Sequence, residues 1–306
     1  MFTTLLAVVV ALALGHLAPG LARRLRDYAW FRHWLRWLER RPEAGARRDG
    51  TLAVAAVAVL PPLLVLGLLQ WLLAGHAFGL PSLLLGVAVL FHVWGPRDLD
   101  RDVDAILEAG TGDARRAAAA RLWPATRRDQ ARVDPPAVVG AVFGCALRRW
   151  FSVLLWFLLL GPVGALAYRL LAILAEDAVA ARLPAGMVAA AGRLLAVLDW
   201  PVAQLLTLSL ALVGNFQDVL QAWRQAGGTA LRADSAVLAA VGRASVRGVV
   251  ADEARDYAGA GLASGSALLR ELGPMPELRE AMGLVWRALV LWLALLALCV
   301  VAGWAG

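Results

Sequence analysis

The chain contains no lysine: all 30 of its Lys and Arg residues are arginines. That removes the phosphate-gripping lysine of a P-loop and every Schiff-base mechanism. Two cysteines in 306 residues rule out a disulfide framework. Cys145 and Cys299 read as free thiols, with no activating partner near them in sequence. The four histidines, His16, His33, His76 and His92, never fall three or four residues from one another or from a cysteine. No H-E-x-x-H or other zinc spacing exists. A Gly-x-Ser-x-Gly elbow is missing too. Charge is scarce: 17% of residues against roughly a quarter in a soluble domain. What fills the space is apolar, 60% of the chain, with a mean hydropathy of +0.66. The composition reads as an all-α, polytopic integral membrane protein and not as a soluble enzyme.

A helical span needs roughly 20 apolar residues. Six stretches qualify, at about 2–22, 51–74, 78–94, 150–175, 185–214 and 283–306. Together they read as one membrane domain over 1–306. The first lacks the basic n-region of a signal peptide and carries its arginines after the apolar run, so it is expected to stay as a span. The fifth contains Arg193, Asp199 and Pro201. It is expected to break near 199–201, as one interrupted span or two half-helices.

The connections 23–50, 95–149 and 215–282 hold 26 of the 30 arginines and 20 of the 23 acids. Arginine-rich loops stay in the cytoplasm. Six crossings put all three there and leave both termini in the periplasm of a bacterial inner membrane. The two larger loops balance 17 arginines against 16 acids. A nucleic-acid groove needs a stripe of one sign, so no nucleic-acid partner is expected.

In the first connection, 23–41 has helical periodicity. Trp30, Trp34 and Trp37 recur at three and four, and Arg32 and Arg36 lie on another face. Tryptophans with arginines suit a helix in the lipid headgroup region, and suit equally a helix packed over its neighbours. In the second, Asp98, Asp100, Asp102 and Asp104 form a ladder with Val103 where a calcium loop needs glycine, and Ala109 where it needs glutamate. A charged helix surface explains the ladder; a weak metal site at Asp98, Asp102 and Asp129 is the alternative. The third connection has glycines at 259, 261 and 265, with no strand before them to make a nucleotide fingerprint.

Charges inside apolar spans are costly and by default suggest a site. Arg169 and Arg193 fall at similar depth from the same side, with Tyr168 beside the first and Asp199 deeper. Arg169, Arg193, Tyr168 and Asp199 are therefore the candidate ligand site, suited to an anionic headgroup or phosphate. The alternative is internal pairing of Arg169 with Glu176 and of Arg193 with Asp199, or snorkelling.

The stretch Gly161-Pro162-Val163-Gly164-Ala165-Leu166-Ala167-Tyr168-Arg169 resembles the CobD/CbiB membrane family. So do LLAVLDWPVAQ at 194–204, LALVGNF around Gly214, and Arg128-Asp129, which resembles that family's Gly-Arg-Asp turn. With ALGHLAPGLARRLRDYAWFRHWLRWL near the start and GPRDLDRDVDAILEAGTGDARRAA at 95–118, the chain looks most like the AmpE branch. That resemblance implies an inner-membrane regulatory protein linked to β-lactamase induction and cell-wall recycling signalling, without a cofactor. Its implied partners are membrane lipid, a lipid-linked or anionic cell-wall metabolite, and a cytoplasmic protein docked on the third connection. The other implied activity is CobD/CbiB-like synthesis of adenosylcobinamide phosphate, or a reaction on another amphiphile. The carboxylate stretch of that family should precede the Gly161 motif. Here the place reads Phe143-Gly144-Cys145-Ala146-Leu147-Arg148-Arg149-Trp150, with neither acid. The family's acidic N-terminal Asp-x-x-x-Gly-Asp-Pro motif and its late Pro-Ser-Pro-Asn-x-Gly loop are also absent. A magnesium-nucleotide reaction needs such carboxylates, so the balance leans away from an enzyme.

Overall fold

The computed structural model describes residues 2–17, 26–39, 51–74, 79–94, 99–176, 183–228, 236–259 and 275–303. Among them every regular element is a helix. The chain begins with α1 (Phe2–Leu17), then α2 (Ala29–Glu39), α3 (Thr51–Leu73) and α4 (Leu80–Val93). The middle of the chain gives α5 (Leu99–Leu107), α6 (Gly112–Ala119), two 3-10 turns, α7 (Pro135–Ala146) and a π turn at Leu147–Phe151. The remainder gives α8 (Ser152–Glu176), α9 (Ala185–Val213), α10 (Phe216–Gln225), α11 (Ala236–Gly259) and α12 (Pro276–Val301). Four helical stretches are long and apolar enough to cross a membrane: Ala55–Leu73, Pro135–Glu176, Ala185–Val213 and Pro276–Val301. Thr3–Gly15 and Leu80–Val93 are shorter apolar helices. The protein is all-α and membrane-embedded. Contacts divide it into two compact units: residues 1–97, 148–199 and 295–306, and residues 98–147 and 200–294.

The first unit departs from the expectation of a single span at 150–175. That stretch folds back on itself at Gly161, whose backbone sits at φ 68, ψ −158. This region is essentially open to glycine alone. Three observations establish the reversal. Trp94 stacks on Trp150 with ring centroids 6.3 Å apart, while the carbonyl of Val93 next to it accepts from Arg169 Nε at 3.1 Å. On a straight helix residues 150 and 169 would stand about 28 Å apart. Arg148 pairs with Glu176, at the two ends of the stretch. A Cβ on Gly164 would lie 2.6 Å from the carbonyl oxygen of Trp156, two turns back. The second arm, 162–176, is about 22 Å long, short of the roughly 30 Å of a hydrocarbon core, while the first, 147–160, continues a helical stretch that starts at Pro135. The two arms form a helical hairpin. Gly161 makes the turn, Pro162 starts the second arm where no N–H is required, and Gly164 lets the arms close.

The expected break at 199–201 is not observed. Residues 185–213 are helical throughout, Pro201 included. A proline costs a helix one hydrogen bond and some crowding, which neighbouring packing tolerates, as it does at Pro61 and Pro62 within α3. A glycine at positive φ with extended ψ cannot continue the helix at all. The motif Gly161-Pro162 thus carries the discontinuity that had been assigned to Asp199-Trp200-Pro201.

The second unit brings the two larger connections into one core. α7 packs on α11 at glycine contacts. A Cβ on Gly242 would meet the fully buried Phe143 ring at 2.1 Å, and one on Gly140 would meet Ala239 Cβ at 3.0 Å. Asn215 caps α10 by accepting from the backbone N–H of Gln217 and Asp218, satisfying first-turn donors. Indole N–H groups tie distant segments: Trp286 donates to Asp100 at 2.8 Å, Trp292 to Ser209 at 2.8 Å and Trp223 to Gln204 at 2.9 Å. The Cys145 thiol is buried and donates to the Leu122 carbonyl, whereas Cys299 is exposed.

Replacing Gly161 with alanine is expected to cost about 1–3 kcal/mol, because the turn forces the new side chain into strained backbone. Gly192→Ala, in α9 with nothing within 4 Å of the added Cβ, is expected to be neutral or stabilising by up to about 1 kcal/mol. Thermal unfolding in detergent micelles compares the two, and equal midpoints would contradict the hairpin turn.

Candidate functional site

Two polar clusters lie within the first unit. The first closes the open end of the hairpin. Asp199 is buried, and its Oδ1 accepts from the Tyr168 hydroxyl at 2.6 Å and from the Ser152 hydroxyl at 3.1 Å. Its Oδ2 accepts from Arg148 Nε at 3.1 Å. The same guanidinium reaches Glu176 through Nη1. Arg148 and Ser152 are four residues apart and share a face of the first arm; Tyr168 and Glu176 come from the second. The reversal at Gly161 makes them neighbours. One cation therefore bridges two carboxylates while two hydroxyls fill the remaining lone pairs, as a charge in an apolar surround requires.

The second cluster covers the C-terminal end of α4. The last carbonyls of a helix have no partner within it. Here three consecutive ones are taken by side chains. Phe91 O accepts from Arg26 Nε at 3.0 Å, His92 O from the Tyr28 hydroxyl at 3.0 Å, and Val93 O from Arg169 Nε at 3.1 Å. Two guanidiniums at a carbonyl end also complement the helix dipole. Arg26 lies over the Phe91 ring at 5.1 Å, and the rings of Tyr28 and His92 are 4.6 Å apart. Arg26, Tyr28 and Arg169 are all buried. Arg169 Nη2 is buried without a hydrogen-bond partner among the described residues. Burial pushes the Tyr28 hydroxyl up to about 12, against the opposing effect of the nearby Arg169 and Arg26 charges.

The sequence-based site is therefore split. Tyr168 and Asp199 meet. Arg169 turns away from them to α4, and Arg193 is exposed on α9. Equal depth placed the two arginines at one level, but they occupy different faces and environments. The internal pairs Arg169–Glu176 and Arg193–Asp199 are not formed either; Arg148 takes both acids. Arg148 and Ser152 were missed because they precede the motif that drew attention. Their signal was symmetry about Gly161: Arg148 and Glu176 stand thirteen and fifteen residues from it, Ser152 and Tyr168 nine and seven.

The metal alternative gathers no ligand set. Asp102 is buried, Asp129 is exposed, and Asp98 lies outside the described residues. No three of His, Cys, Asp and Glu come together among the described residues. On α2, Phe31 and Leu35 are buried while Trp30 and Trp37 are each 44% exposed. Trp34 stacks on Trp37 and donates to the Ala58 carbonyl at 3.1 Å, which pins α2 to α3. Arg32 pairs with Asp27, and Arg36 is exposed. Comparison of the chain with known protein families, curated proteins and solved structures finds no match.

Asp199→Ala should cost about 3–5 kcal/mol by stranding two buried hydroxyls and the half-buried Arg148, and Glu176→Ala about 1 kcal/mol or less, since Glu176 is more exposed and Arg148 keeps Asp199. Unfolding midpoints of the two variants in the same detergent test the ranking; the reverse order would place the brace elsewhere. Tyr28 predicts a pH effect. Its folded pKa of about 12 lies above the usual 10, so the neutral form is held by the fold. The stability this provides is complete below pH ~10 and is lost as pH rises toward 12. Phenolate absorbance of the native chain minus that of Tyr28→Phe should show a step near 12; a step at 10 would mean the hydroxyl is solvated.

Proposed function

We propose that the chain is an inner-membrane regulatory protein of the AmpE type, linked to β-lactamase induction and cell-wall recycling signalling, which senses an anionic, membrane-borne ligand. The observation that carries the ligand class is Arg169. Its guanidinium is buried beside that of Arg26, and its Nη2 nitrogen donates to nothing among the described residues. A phosphate or carboxylate supplies what a buried, incompletely bonded guanidinium lacks. Arg193, exposed on α9, has no part in this reading.

Topology follows the same reading. The arginine-rich connections are read as cytoplasmic. The second and third connections share a core, which supports their lying on one side, but 147–176 turns back to the side it leaves, so both termini in the periplasm no longer follow from a count of six crossings. α2 rests at the membrane surface with Trp30 and Trp37 toward lipid and Arg36 toward headgroups. The CobD/CbiB-like alternative has less support, because Asp102 and Asp129 are in opposite environments.

Arg169→Gln is expected to remove most of the anionic lipid or metabolite that copurifies with the native chain, read by mass spectrometry of detergent-extracted protein. It should also lower β-lactamase induction several-fold in cells that depend on this copy. Retention of both by a folded Arg169→Gln protein would overturn the assignment. Ligand loss with normal induction would detach the site from the regulatory role.

A further inference from the structure

A cavity of about 340 Å³ lies in the second unit, away from every residue used above. Its walls are Pro135, Pro136 and Val139 of α7 and Val246 of α11. Its polar groups are Arg243 and Arg247, one turn apart on α11, and Glu277 in the first turn of α12. That volume is within the range of small-molecule sites, and the mix of apolar wall and few charges is their usual make-up.

The state of the two arginines matters most. Arg247 Nε makes one long hydrogen bond, 3.4 Å, to the Arg243 carbonyl. Neither guanidinium forms an ion pair among the described residues, although Glu277 lines this cavity with them and Asp218 lines a second cavity that also contains Arg247. Elsewhere the half-buried Arg148 is neutralised by two carboxylates. Arg243 is half-buried and is held against Gly140: a Cβ there would stand 3.0 Å from Nη1. The backbone offers little competition for an anion. Pro135 and Pro136 have no N–H, and the next two amides, Ala137 and Val138, both donate to the Asp134 carbonyl. Recognition at the α7 end is left to the guanidiniums, whose planar donor forks match carboxylate and phosphate oxygens.

We infer that this cavity binds a small amphiphilic anion, with a phosphate or carboxylate on Arg243 and Arg247 and an apolar body against Val139, Val246 and the two prolines. The net charge of the lining side chains is positive, one acid against two arginines, which suits an anion. The site rests on none of the residues of the proposed function and stands or falls separately.

The test is binding of phenyl phosphate to the full chain in detergent micelles by isothermal titration calorimetry, with inorganic phosphate as the probe lacking an apolar body. Saturable binding of phenyl phosphate is expected, with inorganic phosphate at least tenfold weaker. The Arg243→Ala/Arg247→Ala double variant should weaken phenyl phosphate at least tenfold at an unchanged unfolding midpoint. Should the double variant fail to fold, Arg247→Ala, at an exposed position, and Val139→Phe, which fills the apolar end, carry the test with the same expected loss. Repeating the titration in nanodiscs with and without phosphatidylglycerol separates the sources. Competition by the lipid identifies a headgroup, and its absence a soluble anion; both support the site. No binding by the native chain, equal binding by the variants, or equal affinity for the two phosphates would overturn it.

Discussion

Inside an apolar surround, every charge must find its complement within the protein, and the hairpin 147–176 is arranged around that requirement. Asp199 is buried and accepts three hydrogen bonds, two from one arm and one from the other. The three donors could not reach it together if the stretch ran straight. The turn at Gly161 and the cluster at Asp199 are therefore one device. The turn brings Arg148 and Ser152 beside Tyr168 and Glu176, and the carboxylate holds the two arms together at the end remote from the turn. The second arm alone is too short to cross a bilayer. Irregular backbone at such depth survives only where protein surrounds it. Here Gly161 lies against Gln70 of α3, and Phe157 against Gly86 of α4.

The same requirement explains the carbonyl end of α4. That helix has 14 residues, about 21 Å, so its end falls short of a full crossing. Carbonyls exposed there would be stranded in an apolar region. Arg26, Tyr28 and Arg169 satisfy three of them from two separate segments of chain, and in doing so fix the start of α2 and the second hairpin arm against α4. Adjacent residues on one helix thus serve two clusters. Tyr168 faces Asp199 and Arg169 faces α4, a turn of about 100° apart.

Much of the architecture was legible in the sequence because composition and charge placement act over long stretches. Helical class and membrane residence follow from runs of apolar residues interrupted by arginine-rich connections. The hairpin was not legible by those means. A hydropathy run counts residues and is blind to direction, so 25 apolar residues that reverse look like 25 that cross. The discriminating sign was local. A Gly-Pro-x-Gly sequence can place a positive-φ residue, a helix start and a close backbone approach within four positions, whereas Asp-Trp-Pro offers only a missing donor. Proline attracted the prediction of a break, and glycine made it.

The candidate site failed in sequence for a related reason. Depth along a helix is read from residue number, but the facing partner is set by which helices lie to either side. Arg169 and Arg193 matched in depth. Arg169 had the end of a short helix to bond, and so could be buried; Arg193 had no such acceptor and stayed exposed. A buried arginine in this protein is thus diagnostic of a neighbouring set of stranded oxygens. Arg26 finds them on a carbonyl and the half-buried Arg148 on two carboxylates, while Arg169 bonds a carbonyl through Nε and leaves Nη2 without a partner among the described residues. By the same rule, the donor left over on Arg169 implies oxygens that this chain does not provide among its described residues. On the proposed reading, an anionic ligand completes the set.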